Sequence, residues 1–163
     1  MKIIQIAALI ALCAACVSAA PLPDRSRTIS LDGHDWLICA DPDDAGKSKA
    51  WFEKIPAEAK QGRVPGIMQE TLGNYHGVGW YYKNFTVPAY DNFRNSRYYL
   101  RFWETDFKAD IYVNGKLAKT HAGNEEMFLV DATKLVNPGK ANLLAVRVVK
   151  PAYRQVIDDM ELG

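Results

Sequence analysis

From Trp80 onward the chain alternates apolar and polar side chains with a period of two, the pattern of strands that bury one face. Residues 80–87 place Tyr81, Phe85 and Val87 on one side and Trp80, Tyr82, Asn84 and Thr86 on the other, and Pro88 ends the run. Residues 98–103 alternate likewise, predicting Tyr98, Leu100 and Phe102 inward and Tyr99, Arg101 and Trp103 outward. A strand over 109–113 leads to Asn114-Gly115, the strongest hairpin signal in the chain, because both central residues of a type I′ turn need positive φ. Residues 116–121 are the expected return strand. Strands over 127–130 and 143–149 follow, separated by a turn at 131–133, with Leu144, Val146 and Val148 as an inward stripe beside an outward Arg147.

The first half is less regular. Residues 28–31 and 36–39 read as strands around the Asp32-Gly33 turn signal, with Trp36 and Ile38 sharing a face. Residues 40–66 lose the rhythm and are rich in Asp, Lys, Ala and Pro; Ala50, Trp51 and Ile55 form one apolar helical face, which Pro56 limits to a turn or two. About eight strands joined mostly by turns, with one long early connection holding a short helix, predict an all-β fold: a two-sheet antiparallel β-sandwich of jelly-roll type.

Composition agrees with one globular domain: 163 residues, 48% hydrophobic and 24% charged, unlike a disordered or coiled-coil chain. Twenty Lys plus Arg against nineteen Asp plus Glu give a net charge of +1 with no basic run, which excludes nucleic acid as an expected partner. The one continuous apolar run, residues 3–17, is too short to span a membrane. Preceded by Lys2 and followed by Val17-Ser18-Ala19, it reads as a signal peptide over 1–19, leaving 20–163 as the sandwich and implying a secreted or periplasmic protein. A lipoprotein acylated at Cys16 is the alternative, disfavoured because a Leu normally stands where Cys13 is. Cys39 is then the cysteine that surely survives maturation, expected as a small buried hydrophobe.

Acid–base cleavage of a glycosidic bond needs two facing carboxyl groups, and the acidic residues do not form a recognisable pair. Glu104 and Asp106 follow a strand in a turn, Asp110 is expected to face solvent from within a strand, and Asn124-Glu125-Glu126 lie in a polar loop. Asp158, Asp159 and Glu161 cluster near the last residues. His34, His76 and His121 lack a second ligand at metal-binding spacing, and no phosphate loop or dinucleotide fingerprint appears, so neither a metal nor a cofactor is expected. No residue is assigned a catalytic role. The aromatic residues are more telling: Trp80, Tyr82, Trp103 and Tyr112 are all predicted to point outward, and such a set on a soluble domain marks a surface that something covers. Flat rings also suit the faces of sugars, which makes Trp80 and Trp103 candidate stacking residues.

In order along the chain stand Leu31-Asp32-Gly33 before Trp36, Val64-Pro65-Gly66, Gly77-Val78-Gly79-Trp80-Tyr81-Tyr82-Lys83, and Leu100-Arg101-Phe102. Then come residues 109–113 with Asn114-Gly115-Lys116, His121-Ala122-Gly123, Phe128 with Asp131-Ala132-Thr133, and Gly139 and Asn142 before Leu144-Ala145-Val146-Arg147-Val148. This series resembles the N-terminal, galactose-binding-like sugar-binding domain of glycoside hydrolase family 2, the β-galactosidases, β-glucuronidases and β-mannosidases. The Asn124-Glu125-Glu126 loop departs from it, since many members carry Gly, aromatic and Pro residues there. The resemblance implies a non-catalytic domain that binds carbohydrate and packs beside a (β/α)₈ barrel carrying the catalytic glutamates. A barrel of about 250 residues does not fit in this chain, so a truncated product or fragment, inactive alone, is expected. It further implies that Asp158 and Asp159 occupy the region from which some β-galactosidases send an acidic side chain to the sugar. A stand-alone secreted carbohydrate-binding module is the alternative, and a domain docking onto a separately encoded barrel a third.

Overall fold

A computed structural model describes residues 27–89, 96–123 and 126–150. The expected signal segment with Cys16, the loop residues Asn124 and Glu125, and Asp158, Asp159 and Glu161 lie outside these residues. The elements are β1 (Gly33–Ala40), β2 (Lys60–Val64), α1 (Met68–Leu72), β3 (Gly77–Thr86), β4 (Tyr99–Phe102), β5 (Lys108–Val113), β6 (Lys116–Ala122), β7 (Phe128–Asp131) and β8 (Ala141–Lys150). A six-stranded sheet has the order β2-β1-β3-β8-β5-β6, and a two-stranded sheet pairs β4 with β7; every pairing is antiparallel. The described residues therefore adopt the expected all-β sandwich, with eight strands and one short helix.

The main core lies between the sheets. Ile38, Phe85, Ile111, Val113, Leu144 and Val146 from the large sheet meet Phe128 and Val130 of β7, with Leu100 and Phe102 of β4 packed against them. The inward assignment of Leu100 and Phe102, and the outward one of Tyr99 and Arg101, match the observed burial. Lys83 shares this inner face of β3. Its buried ammonium is satisfied by the Asp35 carboxylate and lies 5.9 Å from the Trp36 ring.

Four local expectations change. Residues 28–31 form no strand, and β1 begins at Gly33 instead of being broken there. Strand β2 was not expected, because Lys60, Gln61 and Arg63 give it no apolar stripe. It exists as a charged edge strand hydrogen-bonded to β1, a position where charge discourages pairing with other chains. The helix expected around Ala50 to Ile55 is a series of turns, with Ala50 at φ 53°, a left-handed conformation that no α-helix accommodates. Among the described residues the one helix is α1, five residues long, joined to β2 by a forked Arg63–Glu70 ion pair with both N···O distances 2.8 Å.

The Asn114-Gly115 hairpin forms as expected, with φ of 50° and 80°. Its asparagine does more than turn the chain. Asn114 accepts from the Leu143 amide and donates to the Leu135 carbonyl and to Asn142 Oδ1, which also accepts from the Asn137 amide. The buried Asn142 amide thus bolts the hairpin tip to the loop before β8. Asn142→Ala should cost about 1–3 kcal/mol, the penalty for leaving buried amide groups unpaired, read as a lowered thermal midpoint.

Candidate functional site

The outer face of the six-stranded sheet concentrates the unusual side chains. Pairing aligns Cys39 of β1, Trp80 of β3, Arg147 of β8, Asp110 of β5 and Thr120 of β6 in one row across five strands. The next row holds Tyr82, Ala145 and Tyr112. Alternation puts both rows opposite the main core, yet neither is in water. The connection between β1 and β2 folds over them and packs Trp51, Phe52 and Ile55 onto Trp80, Tyr82 and Tyr112, forming a second hydrophobic core. The Trp80 ring lies 6.2 Å from Tyr82 and 5.9 Å from Tyr112 in stacked arrangements and meets Trp51 edge-on at 6.4 Å.

This corrects the outward, solvent-facing assignment of Trp80, Tyr82 and Tyr112: Trp80 is 0% exposed and so has no face to offer a sugar. What covers these rings is the chain itself. Asp41, at the start of the covering segment, fixes it in place. Its buried carboxylate accepts from the amides of Ala45 and Gly46 at 2.8 and 2.9 Å and from the Trp80 indole N–H at 2.9 Å. Gly46 is required there, because a Cβ would stand 2.5 Å from Trp80 Nε1 and 2.7 Å from Asp41 Oδ2.

Asp110 and Arg147 are corrected in the same way. Both were expected to face solvent, and they are 3% and 5% exposed. Arg147 forks onto Asp44 of the covering segment at 2.9 and 2.6 Å and reaches Asp110 at 3.2 Å. Lys47, also from the cover, lies 2.6 Å from Asp110, and the Thr120 hydroxyl donates to its other oxygen at 2.8 Å. Burial pushes the Asp110 pKa upward, but hydrogen bonds from Lys47 and Thr120 and the charges of Lys47 and Arg147 outweigh it, so the carboxyl stays below the usual range. A carboxyl held ionised in this way is the opposite of a general acid, which must keep its proton near neutrality.

Cys39 is buried as expected. Desolvation, with the nearby charges of Glu58 and Asp41, pushes its thiol up to about 11, leaving it neutral and unreactive. His121 is buried against Phe128, ring centroids 3.8 Å apart, with Nε2 3.7 Å from the exposed Glu126 carboxylate. Asp106 pairs with Lys150 at 3.1 Å. Among the described residues no three His, Cys, Asp or Glu side chains come together as a metal site. A cleft of about 1390 Å³ opens beside the two-stranded sheet, and its inner wall, including Leu100, Phe102, Leu144 and Val146, is continuous with the main core.

Of the two candidate stacking residues, Trp103 is the one at the surface, 70% exposed just past the end of β4. The guanidinium of Arg101 lies 4.7 Å from its ring centroid. Sequence reasoning missed Asp41 and the partners of Arg147, whose only signal was a cluster of Asp and Lys in a segment that also carries Trp51, Phe52 and Ile55.

Comparison with known proteins adds an independent line. A family model described as glycosyl hydrolases family 2, sugar binding domain, matches residues 66–162. A β-glucuronidase of Paenibacillus borealis is 28% identical over 118 residues, covering 69% of this chain and 20% of that protein. A putative β-glucuronidase of Formosa agariphila is 33% identical over 69 residues, 42% of this chain and 8% of that protein. Among solved structures, Ruminococcus gnavus β-glucuronidase superposes with a TM-score of 0.66 at 29% identity, covering 75% of this chain and 20% of its own; it has also been solved with D-glucuronic acid. The chain spans a fifth or less of the length of these relatives.

Proposed function

Because the chain belongs to the family 2 glycosyl hydrolase sugar-binding domains, we propose that it is the non-catalytic N-terminal sandwich of an exported exo-β-glycosidase of the β-glucuronidase type. In this reading it holds carbohydrate and supports a catalytic barrel supplied elsewhere in the enzyme. The β-glucuronidases it matches, each several times its length, support the parent activity. Residues 1–19 support export.

The observation that carries the non-catalytic role is the use made of the buried carboxylates. Asp41 is committed to two backbone amides and an indole, and Asp110 to Lys47, Arg147 and Thr120. Asp110 is held below the usual carboxylate range and not raised as a general acid would be, and neither carboxylate has the opposed partner that glycoside cleavage requires. The purified chain should therefore release no product from an aryl β-glucuronide. Turnover that disappears in Asp110→Asn or Asp106→Asn would overturn the assignment. The stand-alone binding module remains a second reading, favoured by the exposed Trp103 ring, and it predicts saccharide binding by the chain with no barrel present.

A further inference from the structure

The outer face of the β4–β7 sheet is built unlike the covered face of the large sheet. Tyr99, Arg101 and Trp103 follow one another at alternate positions, roughly 6–7 Å apart along the chain, and all three are exposed. Across the sheet Arg101 faces Leu129 and Tyr99 faces Asp131. The sequence therefore writes aromatic, cation, aromatic along one exposed ridge. We propose that this ridge is a saccharide-binding surface selective for acidic glycans, with Tyr99 and Trp103 stacking on sugar rings and Arg101 between them holding a uronate carboxylate. The inference rests on the reading of this domain as one that holds saccharide, and it names the class of sugar.

Two features argue for an anionic sugar. First, a guanidinium lying over an indole keeps the planar fork of N–H donors that grips a carboxylate through two parallel hydrogen bonds. The contact with Trp103 also restrains the Arg101 side chain before ligand arrives, which lowers the entropy lost on binding. Second, the positive charge of Arg101 is not spent inside the protein: among the described residues it is paired with no carboxylate. Asp131, the acid on the same face, accepts hydrogen bonds from Thr133 and interacts with Arg97 and Lys134. A neutral glycan would use the rings and leave the Arg101 charge idle, whereas a glycan with a carboxylate on every second unit would use both.

The test is calorimetric titration of the full chain with a hyaluronan hexasaccharide, in which glucuronate alternates with a neutral sugar, and with chitohexaose, a neutral β-linked glycan of equal length. The acidic glycan should bind at least about tenfold more tightly at low salt, the worth of one charge-assisted contact, and the advantage should shrink at high salt. Trp103→Ala should abolish binding of both. Arg101→Gln should erase the preference, and Arg101→Lys should restore it only in part, because an ammonium lacks the planar fork. Both positions are exposed, so unchanged melting temperatures should accompany these losses. Equal binding of the two glycans, lost in Trp103→Ala, would overturn the acid selectivity and leave the saccharide-holding role standing. Binding of neither glycan, or binding untouched by both substitutions, would overturn the site itself. So would a dimer that Trp103→Ala dissociates, since a second copy would then occupy the ridge.

Discussion

Trp80→Ala should lower the stability of this domain by about 3–5 kcal/mol, the usual cost of removing a large buried aromatic side chain. The indole is the centre of the second core, touching Trp51 from the covering segment and Tyr82 and Tyr112 from the sheet. It is also the side-chain donor to the Asp41 carboxylate. Removing it opens a cavity under the cover and frees one of the contacts that fix the segment's start. Against the roughly 5–15 kcal/mol that holds a typical domain folded, the change is large enough to read as a clear fall in the urea midpoint. Trp80→Phe should cost less, because it keeps an aromatic ring and loses chiefly the N–H to Asp41. Cleavage of the 41–59 segment by a protease should become faster in Trp80→Ala at a temperature where the rest of the domain stays folded. A stability within about 1 kcal/mol of the parent would show that the cover does not depend on this ring, and the second core would lose its structural role.

That prediction turns on the difference between what alternation in a strand reveals and what it leaves open. The period of two placed Trp80 and Tyr82 opposite Tyr81 and Phe85, and the structure agrees; it also placed Leu144, Val146 and Val148 on one stripe of β8. Alternation does not say whether the second face meets water. Here it meets a non-repetitive segment whose apolar residues, Trp51, Phe52 and Ile55, have no period because they sit on turns. The same blind spot put Asp110 and Arg147 in solvent. A charged residue in a strand is assigned outward by default, and its burial depends on partners more than thirty residues away. Strand β2 was invisible for the complementary reason: an edge strand held by backbone pairing needs no apolar face. Asn114-Gly115 was legible because its constraint is local, a pair of positive φ angles.

The two aromatic sets now part company. Trp80, Tyr82 and Tyr112 are cemented under the cover and contribute to folding, while Tyr99 and Trp103 remain on a face that no described residue encloses. In the proposed role, Trp80, Tyr82 and Tyr112 offer no ring face to a glycan, while Tyr99 and Trp103 do. The loss of glycan binding and the loss of stability should accordingly separate: substitutions under the cover should move the denaturation midpoint, and those on the ridge should leave it alone.

Arg147→Met should be the other severe substitution, costing about 3–5 kcal/mol near neutral pH, as expected when one member of a buried ion pair is removed. Met fills similar space, so the cost comes from charge and not from a cavity. Asp110 would remain buried and ionised with only Thr120 and the half-exposed Lys47 as partners, and Asp44 would lose its fork. The pH dependence gives the cause away. In the parent, the folded-state pKa of Asp110 lies below its ordinary value, so its contribution is present above the unfolded carboxylate pKa of about 3.9 and is lost as pH falls through the lower folded value. In Arg147→Met the opposing influence of burial gains weight and the Asp110 pKa rises, so the variant sheds the penalty by taking up a proton. The stability gap between the two proteins should thus be widest near pH 7 and narrow on acidification toward pH values of about 4. Asp110→Leu combined with Arg147→Met should recover much of the loss, because it leaves no unpaired charge at the Asp110 position. A gap that stays constant with pH, or a double variant no better than Arg147→Met alone, would mean that packing, and not the buried charge, governs how the cover is held.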